Sequence, residues 1–233
     1  MARLICVLAL ASTGAYGQVI LDNFSSGDES HYTFIPVFSN PADGWAVTAG
    51  ELHPSIDGNA SATWLWNQGQ KLSAIGDSVS ISLALSAGAN DGFPSSIGLF
   101  LAADVDSVGV GHEISQTTFG GTWSYSVDGA GQIAPTGPTG PVQLTIQRTG
   151  QTVDGFVYST TFSGGGLPSP LTDFFIDPAN SLMFGPFAYN TTGASAALDN
   201  LTFTAVPEPS MYAAAFGLLA LTTALIRNRL SKA

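Results

Sequence analysis

Two tryptophans on one predicted strand are the side chains best suited to bind a small molecule. Trp64 and Trp66 are two residues apart, so both indole rings project from the same face of an extended strand. Asn67 and Gln68 follow directly, and their amides can hydrogen-bond to hydroxyl groups. Because aromatic faces stack on pyranose rings, Trp64, Trp66 and Asn67 form a candidate glycan-binding site. Core packing in a β-sandwich explains the tryptophan pair equally well, so both interpretations stay open.

A second candidate site consists of two carboxylates. Asp104 and Asp106 follow the apolar run Ile97 to Ala103 and lie two residues apart. On an extended segment they share one face, and Ca²⁺ takes six to eight hard oxygen ligands. We therefore treat Asp104 and Asp106 as a candidate calcium site, with solvated loop acids as the alternative.

Catalytic chemistry has little support in the residues. Carbohydrate hydrolysis usually needs two carboxylates across a cleft, and the glutamates of residues 18–205 are isolated from one another. His112 and Glu113 are adjacent, but neighbours on a strand point to opposite faces and do not act together. His31, His53 and His112 lack metal-ligand spacing, so each is expected to be an ordinary surface histidine. We expect no catalytic residues and no enzyme activity.

The elements that must position these residues are strands, because the hydrophobic period is two. In Ser78 to Leu85 the apolar residues alternate with serines, which is typical of a half-buried strand. Val142 to Gln147 repeats the pattern, and Thr149-Gly150-Gln151 turns the chain into Val153 to Ser159 as a hairpin. Ile97 to Ala103 is apolar on both faces and predicts a central strand. The fold class is all-β, a two-sheet antiparallel β-sandwich.

Two similar segments bracket this region, Ile20-Leu21-Asp22-Asn23-Phe24 and Ala197-Leu198-Asp199-Asn200-Leu201. Terminal strands of this kind can pair side by side and close one sheet. With its strand rhythm and its hairpin near Arg148, the region 18–204 resembles the jelly rolls of the laminin-G and concanavalin-A-like lectin and glucanase group. The glucanases of that group carry Glu-x-Asp-x-x-Glu on one strand, and this sequence lacks that run.

The C-terminal residues 206–233 form a separate unit. Pro207-Glu208-Pro209 precedes an apolar stretch from Met211 to Ile226, after which come the basic residues Arg227, Arg229 and Lys232. As a helix, the stretch spans about 24 Å at roughly 1.5 Å per residue, which just reaches across a bilayer core. The basic residues should stay cytoplasmic. The unit resembles the PEP-CTERM sorting signal of Gram-negative bacteria, which an exosortase processes and whose setting is exopolysaccharide and biofilm.

The N-terminus is consistent with export. Arg3 provides a positive start, Leu4 to Ala11 an apolar run, and Ala15-Tyr16-Gly17 the small-x-small pattern that signal peptidase cuts after. We therefore predict a signal peptide helix at 1–17, a β-sandwich ectodomain at 18–205 and a transmembrane helix within 206–233. The precursor would be membrane-anchored, and the processed protein would reach the cell surface, outer envelope or extracellular matrix.

Residues 18–205 are strongly acidic. Lys71 and Arg148 stand against sixteen Asp and Glu, which gives a formal charge of −14 with histidine neutral, and the segment has no cysteine. Nucleic acid is therefore excluded as a partner, because phosphate binding needs a basic surface. The sequence predicts an exported, non-enzymatic β-sandwich with a structural or glycan-associated role. A carbohydrate-binding module remains an alternative, as does a glycoside hydrolase or lyase of the concanavalin-A-like group.

Overall fold

The computed structural model describes residues 17–38, 44–56, 60–86, 93–134, 136–191, 194–206 and 222–223. Most of the predicted signal peptide lies outside these residues, as do Pro207, Glu208, Pro209, Arg227, Arg229 and Lys232 of the predicted sorting signal. In the parts of the chain that are described, no helix is both long enough and apolar enough to span a membrane.

The described residues form fifteen strands in two antiparallel sheets. Sheet A has the order β13-β12-β11-β6-β15-β4-β3, with β1 also paired to β15; sheet B has the order β10-β9-β8-β7-β14-β5-β2. The strands of sheet A are β1 (Gly17–Asp22), β3 (Gly44–Thr48), β4 (Glu51–Ser55), β6 (Ser78–Leu85), β11 (Val142–Gln151), β12 (Phe156–Gly164), β13 (Leu171–Asp177) and β15 (Ala196–Ala205). Those of sheet B are β2 (Tyr32–Phe38), β5 (Ser61–Trp66), β7 (Ser95–Ala102), β8 (His112–Phe119), β9 (Thr122–Val127), β10 (Ala130–Ala134) and β14 (Met183–Tyr189). The predicted all-β sandwich is confirmed. Two short 3₁₀ helices, Glu29–His31 and Val105–Val110, complete the described elements.

Alternation in the sequence sets the two faces of sheet A. Val79, Ile81 and Leu83 of β6 have no exposed surface and enter the core between the sheets, while Ser80 and Ser82 point outward and are partly exposed. Strands β11 and β12 show the same alternation of inward and outward side chains. Strand β11 pairs in register with β6 on one side and with β12 on the other, so opposed residues point to the same face. Sheet A therefore contributes about every second residue of these strands to the core of the sandwich.

The ends of the domain close sheet A as predicted. Strand β1 pairs antiparallel with β15, with Ile20 opposite Thr202 and Asp22 opposite Leu201. Asn200 adopts φ +54° beside an irregularity in β15, which lets this strand pair with β6 along both halves. Since the first and last strands pair and the core lies between them, residues 17–206 form a closed unit with its own hydrophobic core.

The predicted hairpin is present, but its turn comes later than expected. Strands β11 and β12 pair from Val142 to Gln151, and the turn is closed by the Thr152 N–H, which donates to the Gly155 carbonyl at 2.7 Å. Gly150 lies at an irregularity in the pairing rather than in the turn. The prediction of a turn at Thr149-Gly150-Gln151 was wrong because a glycine in a strand can mark a bulge as well as a turn.

Strand β7 is central and buried on both faces, which confirms the prediction for Ile97 to Ala103. Ile97 and Leu99 enter the core of the sandwich, whereas Phe100 and Ala102 point to the outer face of sheet B. There the segment 103–111, which contains the 3₁₀ helix Val105–Val110, packs against both β7 and β2. A side chain at Gly111 would have its Cβ 2.4 Å from the Phe100 ring, so the chain passes directly over this ring.

Candidate functional site

Trp64 and Trp66 lie in the core between the sheets. Their relative exposures are 6% and 4%, which leaves neither indole an open face. The Trp64 ring packs between Tyr32, at a centroid distance of 5.4 Å, and Trp45, at 5.3 Å. The Trp66 indole N–H donates to Gln70 Oε1 at 2.7 Å. A sugar platform on these two tryptophans is incompatible with this burial, and the alternative of core packing fits.

Asn67 is exposed, but it stands apart from any open aromatic face. Its backbone N–H donates to the His31 carbonyl at 2.9 Å, and its side-chain amide donates to the Ser30 carbonyl at 3.4 Å. These bonds hold the end of β5 to the chain before β2. The sequence could not show whether Trp64 and Trp66 face the core or the solvent. A period of two shows which residues share a face without showing which face is outward.

Asp104 and Asp106 do not share the face of an extended segment. Asp104 immediately precedes the 3₁₀ helix Val105–Val110, and its Oδ1 accepts the Asp106 N–H at 3.0 Å and the Ser107 hydroxyl at 2.7 Å. The hydrogen bond from the Ser107 hydroxyl lowers the pKa of Asp104 most; desolvation opposes it, and the backbone N–H groups of Asp106 and Ser107 lower the pKa further. Within the described residues, no group of three or more His, Cys, Asp or Glu side chains is placed to hold a metal. The extended-segment argument for calcium was therefore wrong, because the segment turns into a helix.

His112 is not the surface histidine that was expected. Its ring lies 2.7 Å through Nδ1 from Asp128 Oδ2 and 3.0 Å through Nε2 from Asp177 Oδ2. It also packs on Phe175 with a centroid distance of 4.4 Å, and only 17% of the side chain is exposed. Burial opposes a charged imidazole, but the hydrogen bonds and charges of Asp128 and Asp177 prevail and raise the pKa of His112. The sequence gives no local signal for this cluster, since its partners are 16 and 65 residues away.

Glu113 takes no part in an acid–base pair with His112. Its carboxylate accepts the Ser115 hydroxyl at 2.9 Å, and burial raises its pKa above the usual value. Its backbone N–H donates to Asp128 Oδ1 at 2.8 Å, so Asp128 holds the start of β8 through both residues. The two carboxylates nearest to His112 are thus committed to its ring, which suits a structural link between the sheets.

The outer face of sheet A carries a row of hydroxyl groups on five neighbouring strands, and the row ends at an isoleucine on a sixth strand. The row runs through directly opposed residues of neighbouring strands in the order β13, β12, β11, β6, β15 and β1. We call it the hydroxyl row; its members are Thr172, Thr161, Thr145, Ser80, Thr202 and Ile20. Ser80 and Thr202 are hydrogen-bonded to each other at 2.7 Å, and Thr161 and Thr172 lie 3.4 Å apart through their hydroxyls.

Parallel rows extend this pattern on both sides. One, the amide row, consists of Phe174, Ser159, Gln147, Ser78, Thr204 and Gln18, and the shorter one of Ser163, Gln143, Ser82 and Asp199. Between the rows, at the β1 side, lies an open groove of about 580 Å³ lined by Gln18, Ile20, Ser80, Gln143, Asn200 and Thr202. Asp199 is the one charged member of the three rows. These three rows therefore present hydroxyls and amides with a single charged residue, while Glu51 and His53 lie on the neighbouring strand β4.

Neither of the basic residues of 18–205, Lys71 and Arg148, lies in these rows. Arg148 is 5% exposed; its guanidinium donates to the Asn180 carbonyl at 2.6 Å and lies 3.9 Å from the centre of the Phe156 ring. Lys71 lies in the chain between β5 and β6. A ligand on the outer face of sheet A would thus find hydrogen-bonding groups there, without a cation to attract anions.

The outer face of sheet B is different. Leu65, Phe100, Ala102, Met183 and Phe187 form a second apolar cluster there, and each is less than 9% exposed. Ile35 and Tyr189 pack against it, and the segment 103–111 extends over the sheet from β7 to β2. The part of this face that the cluster forms is apolar and buried, whereas Thr33, Thr117 and Ser124 elsewhere on the same face are partly exposed.

The arrangement of the two sheets matches solved structures of lectin domains. Lectin I-B4 of Griffonia simplicifolia, in its metal-free form, superposes with a TM-score of 0.54 at 12% sequence identity, covering 80% of this chain and 98% of the lectin. A variant of the Emp46p carbohydrate recognition domain gives a TM-score of 0.52 at 8% identity, covering 81% of this chain and 96% of that domain. The fold is a concanavalin-A-like jelly roll.

No protein-family model matches the chain, and no curated protein matches it. At 8–12% identity the two superpositions show a shared fold, and the site must be argued from this chain's own residues. The sequence analysis had singled out the serines of β6 as outward-facing, but it did not identify the outer face of sheet A as a site. The missing information was strand order, because the rows form only when six distant segments are paired.

Proposed function

We propose that the ectodomain is a non-enzymatic carbohydrate-binding domain that works outside the cell. The observation that carries this proposal is the set of three rows on the outer face of sheet A, in which hydroxyls and amides stand in register with one charged residue, Asp199. Such groups donate and accept hydrogen bonds, as sugar hydroxyls do. A fold that also occurs in lectins is compatible with this role without proving it.

A hydrolase or lyase is the weaker alternative. Hydrolysis of a glycosidic bond calls for two carboxylates on opposite sides of the scissile bond, about 5 to 10 Å apart. Asp128 and Asp177, which approach one another at His112, are both hydrogen-bonded to its ring. Glu113 is bonded to Ser115 on β8, and the rows on sheet A contain the single carboxylate of Asp199. These contacts favour binding over cleavage.

Export is the second part of the proposal and rests on the sequence. The PEP-CTERM-like unit at 206–233 would make an exosortase and signal peptidase partners during export, with the membrane holding the precursor through the C-terminal helix. The processed domain would then reside at the cell surface or in the extracellular matrix, where a polysaccharide partner is at hand. Nucleic acid is not expected as a partner, given the charge of −14 on residues 18–205.

Export can be tested by ending the chain before Pro207. We expect this truncation to release the domain into the periplasm or medium, because residues 18–206 have no apolar stretch of membrane length. Cell fractionation followed by immunodetection gives the measurement. Retention of the truncated chain in the envelope at the level of the full chain would rule out the tail as anchor.

Carbohydrate binding can be tested by screening residues 17–206 on a glycan array. We expect retention on neutral glycans, because the rows of sheet A supply hydrogen-bonding groups without a cation. The screen should be run with millimolar calcium and with chelator, since Asp104 and Asp106 still place two carboxylates on one loop. Equal retention in both conditions would separate sugar binding from calcium. A blank array in both conditions would contradict the proposed function.

A further inference from the structure

We infer that the ligand of this domain is a neutral, extended polysaccharide that lies across the strands of sheet A along the hydroxyl row. The inference rests on the proposed function and adds to it the chemical class of the ligand, its location and its direction. Both apolar and polar features of the outer face of sheet A support it.

The hydroxyl row is long enough for several sugar units. It joins six neighbouring strands, from Thr172 on β13 to Ile20 on β1. At about 4.8 Å between strands, the five hydroxyls span four intervals, about 19 Å, and the row including Ile20 is about 24 Å long. Because the hydroxyls repeat at a constant interval, the row complements a polymer whose own hydroxyls repeat along an extended chain. A compact or branched sugar would use only part of it.

Apolar side chains stand at both edges of this surface. Ile20 is 60% exposed at the β1 edge, and Phe174 is 62% exposed at the β13 edge, in the amide row. Large apolar residues that remain exposed beside rows of Ser, Thr and Gln can pack against the C–H faces of sugar rings. Their positions at opposite edges match a chain that crosses all six strands.

The groove gives the ligand a preferred contact near the β1 edge. The side chains of Gln18, Gln143 and Asn200 line it around Ser80 and Thr202 of the hydroxyl row. Amides both donate and accept, so three of them around one volume can bond hydroxyls of either orientation. The hydroxyl row passes through this groove, which makes the groove one part of a longer surface.

The charge of the domain selects a neutral ligand over an anionic one. Residues 18–205 carry a formal charge of −14, and Arg148, one of the two basic residues, is buried against carbonyl groups and Phe156. The field of the whole domain therefore repels uronate-rich or sulfated polysaccharides. The rows contain no lysine or arginine that could offset this repulsion locally.

The decisive variant removes two hydroxyls from the middle of the row. Thr145→Val with Thr161→Val keeps side-chain shape and strand preference, and both threonines are only partly buried. The matched control is Thr33→Val with Ser124→Ala, which removes two hydroxyls from partly buried positions on β2 and β9 of sheet B. Binding of cellohexaose to residues 17–206 is measured by calorimetry, with hexamannuronate as the anionic probe. Melting curves establish that every variant is folded.

We expect the sheet A variant to bind cellohexaose about tenfold more weakly than the parent, as the loss of two hydrogen bonds implies, and the control within about twofold. Hexamannuronate should bind neither protein measurably. Affinity should also rise from cellobiose to cellohexaose, because longer chains reach more of the row.

Three results would overturn the inference while leaving carbohydrate binding intact. These are equal affinity of the sheet A variant and the control, preference for hexamannuronate, and an affinity that stops rising at the disaccharide. The length series does not depend on any variant, so it decides the point even if a variant fails to fold. If neutral glycans, cellohexaose included, are not retained by the parent, the proposed function itself fails together with the inference.

Discussion

The two outer faces of this sandwich are opposites, although both belong to antiparallel sheets of similar size. On sheet A, Ser, Thr and Gln side chains stand in rows that are open to solvent, beside a groove of about 580 Å³. On sheet B, Leu65, Phe100, Met183 and Phe187 form an apolar layer beneath the segment 103–111. The rows of sheet A are polar and partly exposed, and the cluster on sheet B is a second core.

The difference originates in the strand sequences. Strand β6 alternates between larger apolar residues and small residues, Ser78, Ser80, Ser82 and Ala84, so it has one inner and one outer face. Strands β7 and β14 are apolar or small throughout, and their buried residues on both faces require a cover. A continuous apolar strand in a jelly roll therefore predicts a third layer, and an alternating strand predicts an exposed surface.

The largest expected effect comes from removing the Phe187 ring from the apolar cluster on the outer face of sheet B. Phe187 is 1% exposed and stacks with Phe100 at a centroid distance of 6.2 Å. We expect Phe187→Ala to lower the free energy of unfolding by about 3 to 5 kcal/mol, as for other buried phenylalanines. Urea denaturation of residues 17–206 measures it. A cost below about 1 kcal/mol would mean that the outer face of sheet B is not a true core.

Sequence patterns were sufficient for the strands whose burial is decided locally. The alternation in Ser78 to Leu85, the apolar run of β7 and the pairing of the two Leu-Asp-Asn segments were all predicted correctly. In each case the sequence itself shows which side of a strand is apolar or which segments are alike. These predictions therefore do not require knowledge of the neighbouring strands.

The candidate sites depended on information that the sequence does not contain. Trp64 and Trp66 share a face, but that face proved to be the inner one because Tyr32 and Trp45 pack against it. His112 acquired two carboxylate partners from β13 and from the turn after β9. The rows on sheet A require a strand order in which β6 lies between β11 and β15. Long-range pairing creates all three features, so local patterns could not predict them.

A second prediction concerns what holds the segment 103–111, which we call the cover, in place on sheet B. Asp104 precedes the 3₁₀ helix Val105–Val110 and accepts hydrogen bonds from Asp106 and Ser107. Asp104→Ala should loosen the segment 103–111 and speed its cleavage by a non-specific protease several-fold, whereas Asp104→Asn, which retains a capping acceptor, should not. Cleavage sites are read by mass spectrometry. Equal rates for both variants, with or without calcium, would show that Asp104 does not hold the cover.

A third prediction concerns the link between the sheets. In the folded state the pKa of His112 is raised above its usual value by Asp128 and Asp177, in spite of burial. The stabilisation from a charged His112 is therefore complete below the unfolded pKa, near 6.5, and is lost as the pH rises through the higher folded pKa. We expect the stability difference between the parent and His112→Asn to shrink from pH 6 to pH 9 in urea titrations.

His31 provides the control for this pH dependence. It is a more exposed histidine, 3.8 Å from Asp28, so His31→Asn should change stability little at any pH in the same range. A parent-minus-variant difference for His112 that stays constant or grows with pH would contradict the assignment of a charged imidazole between the two aspartates.

The smallest expected effect compares one chemical change on the two outer faces. Thr161 on sheet A is partly exposed, and its hydroxyl lies 3.4 Å from that of Thr172, so Thr161→Val should change the free energy of unfolding by no more than about 0.5 kcal/mol. Thr63 on sheet B is fully buried and donates to the Pro186 carbonyl at 2.9 Å. Thr63→Val leaves this carbonyl without its hydroxyl donor, at a cost of about 1 to 3 kcal/mol. Since both substitutions remove one hydroxyl from a strand, the difference between the two urea curves isolates burial as the cause. Equal costs would mean that the two faces are not distinct environments, and the contrast between an open polar face and a covered apolar one would fail.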